Sequence, residues 1–504
     1  MRLRNPALAL ALCGILGLFV LLATVTARTA HVYSTEAWFA DPAWHLIRDG
    51  CLCTTIIEST GFWLVGADRH TYWILPFHAL VQSVWYRLFA FSLWSLRALS
   101  EAAGVLLLAA MFVIVRRLAD SRSAVLAVLL LAVDWRVLQT SAVGRMDMLC
   151  AALGASAMAA YLTLRERQPV AAVLAGNTLL AAACCTHPCG VLWIPALAVM
   201  MWRGKVSRGR ARLFAIAAIP YLIAVGLYGA YVWQAPQDFL RQIAGNTSGF
   251  AGELGGTRFH SLTAPLSGLV EEWRGRYRPV FGGVWRLQYL VAFLYLTGVA
   301  FSERARGLWM MAAIPAVLLW LLDGTRQSFY LIHVVPGAAA CTAVWLCDQF
   351  GRSYRGLLAV GIAGLVVIQL ATAALQAREN AYAQEYQPAL AFLQSHAKPG
   401  DLVMGDASLA FGLGFESGLV DDLRLGYYSG KRPKFVAMND FDRRWVERRR
   451  IDDPQLYSYI RDTLTTKYQQ VFANSAYTIW VWREAGSAAS ASGDGNFTKG
   501  LANK

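Results

Sequence analysis

The stretch that decides the fold class is Ala98-Leu-Ser-Glu-Ala-Ala-Gly-Val-Leu-Leu-Leu-Ala-Ala-Met-Phe-Val-Ile-Val115, followed directly by Arg116 and Arg117. A run of this length crosses the ~30 Å hydrocarbon core of a bilayer as a helix that rises ~1.5 Å per residue. Similar runs recur along the 504-residue chain, which is 57% hydrophobic and 15% charged, with a mean hydropathy of +0.41. The sequence therefore predicts a polytopic α-helical membrane protein.

About eleven membrane-spanning helices are predicted from these apolar runs. They are Pro6–Thr26, Ala98–Val115, Ala124–Ser141, Met148–Leu164, Val170–Cys185, Val191–Trp202, Leu213–Trp233, Val284–Phe301, Leu308–Leu322, Tyr330–Cys347 and Leu357–Leu375. The composition makes soluble oxidoreductases, kinases and nucleic-acid-binding modules poor candidates. The net charge of +14 reflects arginines in short loops, so it indicates membrane topology and no nucleic-acid partner.

The arginines also predict the orientation of the chain. They cluster in alternate short loops, which the positive-inside rule assigns to the cytoplasm. The clusters are Arg2/Arg4, Arg116/Arg117/Arg122, Arg165/Arg167, Arg203 through Arg212, Arg304/Arg306 and Arg352/Arg355. We therefore expect a cytoplasmic amino terminus, and an outer location for the loops 27–97 and 234–283 and for everything after Leu375.

The outer segments are predicted to carry structure of their own. The aromatic-rich loop 27–97 is typical of amphipathic helices lying on the outer membrane surface. Residues 378–485 show short alternating units that predict an α/β domain, after a membrane domain of residues 1–377, and the tail 486–504 is predicted to be disordered. The predicted strands are Asp401–Met404, Lys434–Met438, Gln470–Ala473 and Tyr477–Trp482, and the predicted helices are Pro388–His396, Asp442–Arg448 and Pro454–Leu464.

The nine cysteines give no sign of a zinc site, since no paired CxxC arrangement occurs. Most lie in apolar runs and are interpreted as small buried hydrophobes. Cys51 and Cys53 are separated by one residue, and the strain of so small a ring favours two free thiols. No metal ligand set is predicted; a divalent metal is compatible with the sequence but not indicated by it.

Polar residues gather at the outer ends of the predicted spans, where a site for a phosphate and a hydroxyl is chemically reasonable. We expect Arg145, His187 and Arg326 to hold a phosphate, Asp147 and His333 to support them, and Glu36 or Asp41 to remove a proton. Structural alternatives stay open for each group. Arg145 and Asp147 can pair with each other, and Asp41 before Pro42 is a favoured start of a helix.

The same motifs, in the same order, resemble bacterial family-39-type glycosyltransferases of the GT-C clan, whose relatives include protein O-mannosyltransferases and lipid A aminoarabinose transferases. The motifs are Glu36-Ala-Trp-Phe-Ala-Asp-Pro-Ala43, Leu88-Phe-Ala-Phe-Ser-Leu-Trp-Ser-Leu-Arg97, Gly144-Arg-Met-Asp147, Thr186-His-Pro-Cys-Gly190 and Tyr330-Leu-Ile-His-Val-Val-Pro336. The resemblance covers about residues 30 to 340 and follows the predicted topology.

The resemblance implies transfer of a sugar from a polyprenyl-phosphate-linked donor to an acceptor hydroxyl at the outer face of a bacterial inner membrane. The acceptor, whether glycolipid, polysaccharide or protein, is left open. The clan commonly opens its first outer loop with an Asp-Glu pair whose Asp is catalytic, but this chain has Thr35-Glu36 there. Many relatives also carry Lys or His before the proline of the outer helix, where this chain has Leu75-Pro76.

Two other functions are compatible with many apolar spans: a transporter or lipid flippase, and a scaffold that displays the outer domain. Transporters place charges and broken helices near the bilayer midplane within repeats. The motifs here lie at outer span ends, and no internal repeat is visible, so the enzyme is favoured. A scaffold leaves those motifs without a role.

Overall fold

The fold is described from a computed structural model that covers residues 6–60, 64–203, 210–253, 265–277, 288–301, 307–349, 355–416 and 418–483. Several sequence predictions lie outside these ranges. They are the arginine clusters Arg2/Arg4 and Arg304/Arg306, most of the loop from Arg203 to Arg212, Arg352, parts of the outer loop 234–283, the start of the span Val284–Phe301, and the tail 486–504.

Helices make up the membrane part and the outer loop that follows the first helix. Their bounds are α1 Pro6–Thr29, α2 Ser34–Arg48, α3 Pro76–Phe89, α4 Leu93–Leu118, α5 Ser121–Val133, α6 Trp135–Ala142, α7 Met146–Leu164, α8 Pro169–Thr186, α9 Ile194–Trp202, α10 Arg210–Val232, α11 Pro236–Glu253, α12 Pro265–Gly275, α13 Gln288–Phe301, α14 Met310–Leu322, α15 Val335–Gln349 and α16 Arg355–Glu379. Short 3-10 helices at Pro188–Trp193 and Ser328–His333 precede α9 and α15.

Six of the described helices are long and apolar enough to cross a membrane, which confirms a polytopic helical membrane protein. They are Pro6–Thr29, Leu93–Leu118, Met146–Leu164, Pro169–Thr186, Ala211–Val232 and Leu358–His396. A bent pair, α5 and α6, raises the number to seven, and three further apolar helices are shorter. The count of eleven spans therefore stays a prediction.

The predicted third span, Ala124–Ser141, is broken. α5 and α6 meet at 58° because Asp134 interrupts the helix and its carboxylate accepts the backbone N–H groups of Arg136 and Val137, at 2.9 and 3.2 Å. Tyr295 of α13 donates to the same carboxylate at 2.9 Å. The described hydrogen-bond partners of Asp134 are thus backbone N–H groups and neutral side chains.

One apolar core holds the bundle together, with α4, α5, α7, α8 and α15 packed against one another. Small residues permit the closest approaches. A Cβ on Gly337 of α15 would lie 2.5 Å from the backbone carbonyl carbon of Met311 in α14, so this crossing requires glycine. The bundle is therefore specified by small residues as well as by apolar ones.

α3 packs one face against the bundle and leaves the other face exposed. Its inner face buries His78 and Tyr86, while Leu80, Val84 and Leu88 are 44%, 61% and 70% exposed. The three leucine and valine side chains are four residues apart and share one side of the helix. An exposed apolar stripe of this kind is what the predicted outer-surface helix requires.

The C-terminal part forms the predicted small α/β unit. Its elements are a π-helical turn Tyr382–Tyr386, α17 Gln387–His396, β1 Val403–Gly405, α18 Ala410–Leu413, β2 Leu419–Val420, β3 Phe435–Met438, α19 Asp440–Asp452, α20 Pro454–Lys467, β4 Tyr468–Ala473 and β5 Thr478–Trp482. The strand order is β2-β1-β3-β5-β4; β1 pairs in parallel with β2 and β3, and β5 is antiparallel to β3 and β4. The predicted strands and helices are confirmed, and β2 was missed because two residues carry no periodic signal.

The sheet is docked onto the first outer loop. Ile57 forms a parallel bridge with Asp421 just beyond β2, and the Glu58 carboxylate pairs with Lys431. The Arg424 guanidinium donates to the Glu58 carbonyl oxygen at 3.1 Å. This loop also contains a Cys51–Cys53 disulfide, so the expectation of two free thiols was wrong.

Candidate active site

A cavity of about 1340 Å³ lies between the helical bundle and the C-terminal sheet. Its apolar side is formed by side chains such as Leu192 and Leu322, and its polar side by Arg145, His187 and Tyr330. Part of the opposite wall comes from the segments that follow β2 and β3. A mixed cavity of this size at a domain boundary is a typical place for a ligand with an apolar and a charged part.

Arg145 lies in the turn between α6 and α7 and is the cation most firmly fixed in this wall. Its Nε donates to the Asp147 carboxylate at 2.8 Å, and its Nη1 donates to the Thr35 hydroxyl at 3.3 Å. The guanidinium lies over the rings of Phe39 and Phe329, 5.3 and 4.6 Å from their centroids. Asp147 and the rings therefore orient the group while leaving part of its donor fork unused.

His187 presents one nitrogen to the cavity. Its Nδ1 accepts the backbone N–H of Cys189 at 3.1 Å, so the neutral ring carries its proton on Nε2. Burial lowers the pKa of His187, with Asp147 and Arg145 acting in opposite directions on it. The Nε2–H of this neutral imidazole has no acceptor among the described residues, and the ring centroid lies 5.1 Å from that of Tyr330, so His187 is a hydrogen-bond donor for an anion.

His333 lies in the same region but is not one of the residues that line the cavity. It is fully buried, and its Nδ1 accepts from the indole N–H of Trp193 at 3.0 Å. Its Nε2 has no hydrogen-bond partner within the described ranges, and neither has Oδ1 of Asp147. Buried polar atoms without partners are rare, so both atoms point to a bound water or ligand group.

His78 of α3 completes this group, and the sequence analysis missed it. The ring is 1% exposed, lies near enough to Asp147, His187 and Arg145 to interact electrostatically, and has no hydrogen bond at either nitrogen to any described residue. Burial lowers the pKa of His78 to about 3. The sequence feature that could have indicated His78 is its position two residues after Pro76, in the first turn of the predicted outer helix.

Glu36 does not line the cavity. It is fully buried, and Arg97 holds it by two hydrogen bonds, Nε to Oε1 at 2.9 Å and Nη2 to Oε2 at 2.7 Å. The backbone N–H of Gly144 donates to Oε1 at 2.8 Å, and that of Tyr33 to Oε2 at 3.1 Å. With four donors, this carboxylate ties the first outer loop, α4 and the turn before α7 into one unit.

Asp41 is also turned away from the cavity. The predicted helix start at Pro42 was wrong, because α2 begins at Ser34 and both residues lie inside it. Oδ2 of Asp41 accepts the backbone N–H groups of Thr55 and Ile56 at 2.6 and 3.0 Å, and Oδ1 lies 3.3 Å from His45 Nε2. Asp41 thus holds the second half of the first outer loop against α2.

Arg326 is not brought together with Arg145 and His187. Its guanidinium pairs with Glu271 at 2.6 Å and lies 3.8 Å from Glu272, both in α12. The sequence offered no local acid closer than Asp323, and that carboxylate is bound at 3.0 Å by Arg276. Arg326 is therefore paired with acids that come from a distant segment, and its role as a phosphate ligand stays a prediction.

A metal does not fit the imidazole group as it is arranged. His187, Cys189 and His333 have ligating atoms within 4.8 Å of one another. Both imidazoles accept a hydrogen bond at Nδ1, so in the neutral form neither has a lone pair free at Nε2 for a cation. We derive no step through a metal at this position.

Comparisons with known proteins agree with this architecture. Residues 70–231 match the family model of dolichyl-phosphate-mannose-protein mannosyltransferases. The crystal structure of ArnT from Cupriavidus metallidurans bound to undecaprenyl phosphate is similar to the chain with a TM-score of 0.55 and 17% identity, over 92% of this chain and 97% of that one. The chain has the GT-C glycosyltransferase fold.

Further structures share this GT-C fold. The apo state of the same ArnT gives a TM-score of 0.58 at 16% identity, over 92% and 96% of the two chains. The Archaeoglobus fulgidus oligosaccharyltransferase in complex with Zn and sulfate gives 0.53 at 15% identity, over 93% of this chain and 73% of that one. No curated protein sequence matches the chain significantly. The resemblance drawn from the sequence motifs is thus confirmed at the level of the fold.

Proposed function

We propose that the protein is a glycosyltransferase that moves a sugar, a hexose or pentose, from a polyprenyl-phosphate carrier to an acceptor hydroxyl at the outer face of the bacterial inner membrane. The observation that carries this proposal is the shared cavity. Its apolar wall suits a polyprenyl chain, and Arg145 and His187 offer donors where the phosphate would lie. The ArnT structure described above binds undecaprenyl phosphate, and the proposal extends that ligand class to this chain.

Arg145 and His187 are proposed to hold the donor phosphate. As the bond between sugar and phosphate breaks, negative charge grows on the phosphate oxygens, and donors fixed in advance stabilise it. Asp147 orients Arg145, and His333 and His78 surround Asp147 from the interior. In this proposal Arg326 does not bind the phosphate. Its guanidinium pairs with Glu271 and lies near Glu272, so its role is to balance the charge of these two acids.

The proton of the acceptor hydroxyl must pass to a base as the new glycosidic bond forms. Glu36 and Asp41 are the bases expected from the sequence, but both oxygens of Glu36 accept hydrogen bonds from Arg97 and backbone N–H groups. Oδ2 of Asp41 accepts two backbone N–H groups, and its Oδ1 lies 3.3 Å from His45 Nε2. We propose that both carboxylates position the first outer loop. We propose that the proton acceptor is another of the carboxylates that line the cavity, which include Asp323.

The test is a turnover assay with the purified protein and a radiolabelled polyprenyl-phosphate sugar. We expect release of free polyprenyl phosphate, loss of that release in Arg145→Ala, and normal release in Arg167→Ala, which removes an exposed arginine at the end of α7. Movement of intact donor across a vesicle membrane without cleavage would indicate a flippase and overturn the proposal.

A further inference from the structure

The carboxyl edge of the parallel strands in the C-terminal sheet faces the cavity. Asp406 follows β1, Asp421 follows β2 and Asn439 follows β3, so the three polar side chains meet at one edge. Ligands of open α/β sheets bind at this edge, outside the carboxyl ends of the strands. α2 closes the edge from the membrane side, since Ser34 donates to Asp406 and Trp38 donates to Asp421, both at 2.8 Å.

Asp406 and Asp421 differ in how their oxygens are used. Asp406 accepts four hydrogen bonds, two at each oxygen, and is therefore a structural centre of the edge. Asp421 accepts one, from the Trp38 indole at Oδ2, and its Oδ1 receives none from the described residues. The side chain is only 9% exposed, and its remaining accessible surface faces the cavity. A carboxyl side chain that is about nine-tenths buried, lines a cavity and has one oxygen without a partner among the described residues calls for a ligand donor.

The charges around Asp421 differ from those around a carboxylate in an ordinary ion pair. Its neighbour Asp422 takes the guanidinium of Arg424 at 3.0 Å, and no ion pair joins Asp421 to a cation among the described residues. Burial raises the pKa of Asp421 to about 8, and the nearby Asp406 and Asp422 carboxylates add to the effect while Arg424 opposes it. Near neutral pH the group is therefore largely a neutral carboxyl that both donates and accepts a hydrogen bond, as the hydroxyl of an acceptor also does.

The backbone around Asp421 bears on the class of acceptor. An extended peptide commonly binds by adding a strand to a free sheet edge. Here the outer side of β2 is already occupied, because the Asp421 N–H donates to the Ile56 carbonyl at 2.7 Å and the Glu58 N–H donates to the Asp421 carbonyl at 3.1 Å. What remains open to the cavity is the carboxyl group, and the cavity is also lined by the aromatic side chains of Trp38 and Trp445 and by Arg444 of α19.

We propose that Asp421 is the acceptor-binding residue of the cavity and that the acceptor is a polyhydroxylated glycan headgroup. Asp421 Oδ1 holds an acceptor hydroxyl, while Trp38 fixes Oδ2 and forms, with Trp445, the apolar walls against which a sugar ring packs. This inference rests on the proposed glycosyl transfer. It assigns the acceptor to the C-terminal sheet and the donor phosphate to the turns of the bundle.

Asp421→Ala, Asp421→Asn and Trp38→Phe test the assignment in the detergent-purified protein. With native envelope membranes as the acceptor, we expect Asp421→Ala to raise the acceptor KM about tenfold or more, equivalent to one lost buried hydrogen bond. Asp421→Asn keeps a donor, an acceptor and the Trp38 bond, and should return the KM to within threefold of wild type. Trp38→Phe should raise the KM as well, because it frees the carboxyl. Asp462→Asn, on the exposed face of α20, is the matched control.

Binding of polyprenyl phosphate separates the two proposals. If wild type neither binds polyprenyl phosphate nor releases it from the labelled donor, the proposed function fails. If wild type turns over and both Asp421→Ala and Trp38→Phe keep the wild-type acceptor KM, the function stands and the acceptor assignment is overturned. The class of acceptor is read from the labelled product formed with native envelope membranes: label that resists protease supports a glycan, and label released by protease as glycopeptides overturns it.

Discussion

At the scale of single residues, the buried pair Glu36 and Arg97 shows how the role assigned to one carboxylate differs between sequence and structure. In the sequence Glu36 stands where the resembled glycosyltransferases carry the second acid of their Asp-Glu pair. In the structure both partners are fully desolvated, and every hydrogen-bonding group of Glu36 has a partner. Breaking such a pair from one side leaves an uncompensated buried charge, which costs more than the pair itself contributes.

We therefore expect Glu36→Gln to lower the free energy of unfolding by about 3–5 kcal/mol, because Arg97 is left without a counter-charge in the interior. Thermal unfolding in detergent, followed by tryptophan fluorescence, measures the loss. Glu166→Gln, at an exposed position after α7, is the control. A fully stable Glu36→Gln protein without turnover would instead identify Glu36 as the catalytic base.

Substitutions at Arg145 and Arg326 are expected to differ in their effect on polyprenyl phosphate affinity. Arg145→Lys keeps the charge but loses the planar donor fork and the contact with Phe329, so polyprenyl phosphate affinity should fall about tenfold or more, ~1.4 kcal/mol. Arg326→Ala removes a guanidinium that Glu271 already occupies, and the affinity should change less than about threefold. Binding to purified protein in nanodiscs measures both, and a reversed order would restore Arg326 as the phosphate ligand.

At the scale of elements, the first outer loop is held to α2 by a chain of polar contacts through His45. Its Nε2 lies 3.3 Å from Asp41 and 2.8 Å from the Thr55 hydroxyl, and its Nδ1 lies 2.5 Å from Asp49. Burial alone would lower the pKa of His45, but the bonds to Asp41 and Asp49 outweigh it and raise the pKa above its ordinary value of about 6.5.

A histidine whose pKa is raised on folding stabilises the fold fully below about pH 6.5, and this contribution is lost as the pH rises through the folded pKa. We expect the backbone amides of Thr55 and Ile56, which bond to Asp41, to exchange faster with deuterium above that range. The increase should exceed the intrinsic rise of amide exchange with pH. His45→Gln should remove the excess, and equal excess in both proteins would exclude His45 as its cause.

The crossing of α14 and α15 gives a prediction about helix packing. Gly337→Ala places a methyl group 2.5 Å from the Met311 backbone, so the helices must separate, and we expect destabilisation of roughly 1–3 kcal/mol. Gly361→Ala in α16 is the matched control, because nothing lies within 4 Å of its added Cβ. It should be neutral or stabilising by up to about 1 kcal/mol through helix propensity. Equal thermal midpoints for the two variants would refute the packing argument.

At the scale of the whole molecule, the bundle and the C-terminal sheet enclose one cavity, and both contribute to its walls. The contacts that join them are Ser34 to Asp406, Trp38 to Asp421 and Glu58 to Lys431. An arrangement of this kind requires the sheet to lie on the same side of the membrane as α2. The orientation of the chain is therefore coupled to the proposed site.

We predict that the carboxyl-terminal domain is outside the cytoplasm. Alkaline phosphatase fused after Glu484 is expected to be active, and a reporter that needs the cytoplasm should be inactive there, because the arginine clusters assign the opposite loops to the inside. Fusion after Arg167 serves as the control with the reverse pattern. An inactive phosphatase after Glu484 would move the cavity to the cytoplasmic side and remove an outer-face acceptor.

Local pattern was sufficient for some features of this protein. Apolar length predicted the spans, and Pro454 and the alternation of Tyr477–Trp482 predicted α20 and β5, because such signals act over neighbouring residues. The ordered motifs also brought Arg145, Asp147, His187 and His333 into consideration, and the structure brings these four together.

Other features required the tertiary structure. Glu271 pairs with Arg326 and Trp38 binds Asp421 across separations in the chain that no periodicity encodes. Asp134 breaks a span that composition alone makes continuous, because its carboxylate caps α6 inside the bundle. The sequence by itself determined which segments are apolar and which side chains are chemically able to act. Only the tertiary structure decided which of those side chains form hydrogen bonds or ion pairs within the protein and which still face the cavity. These contacts join segments that are distant along the chain.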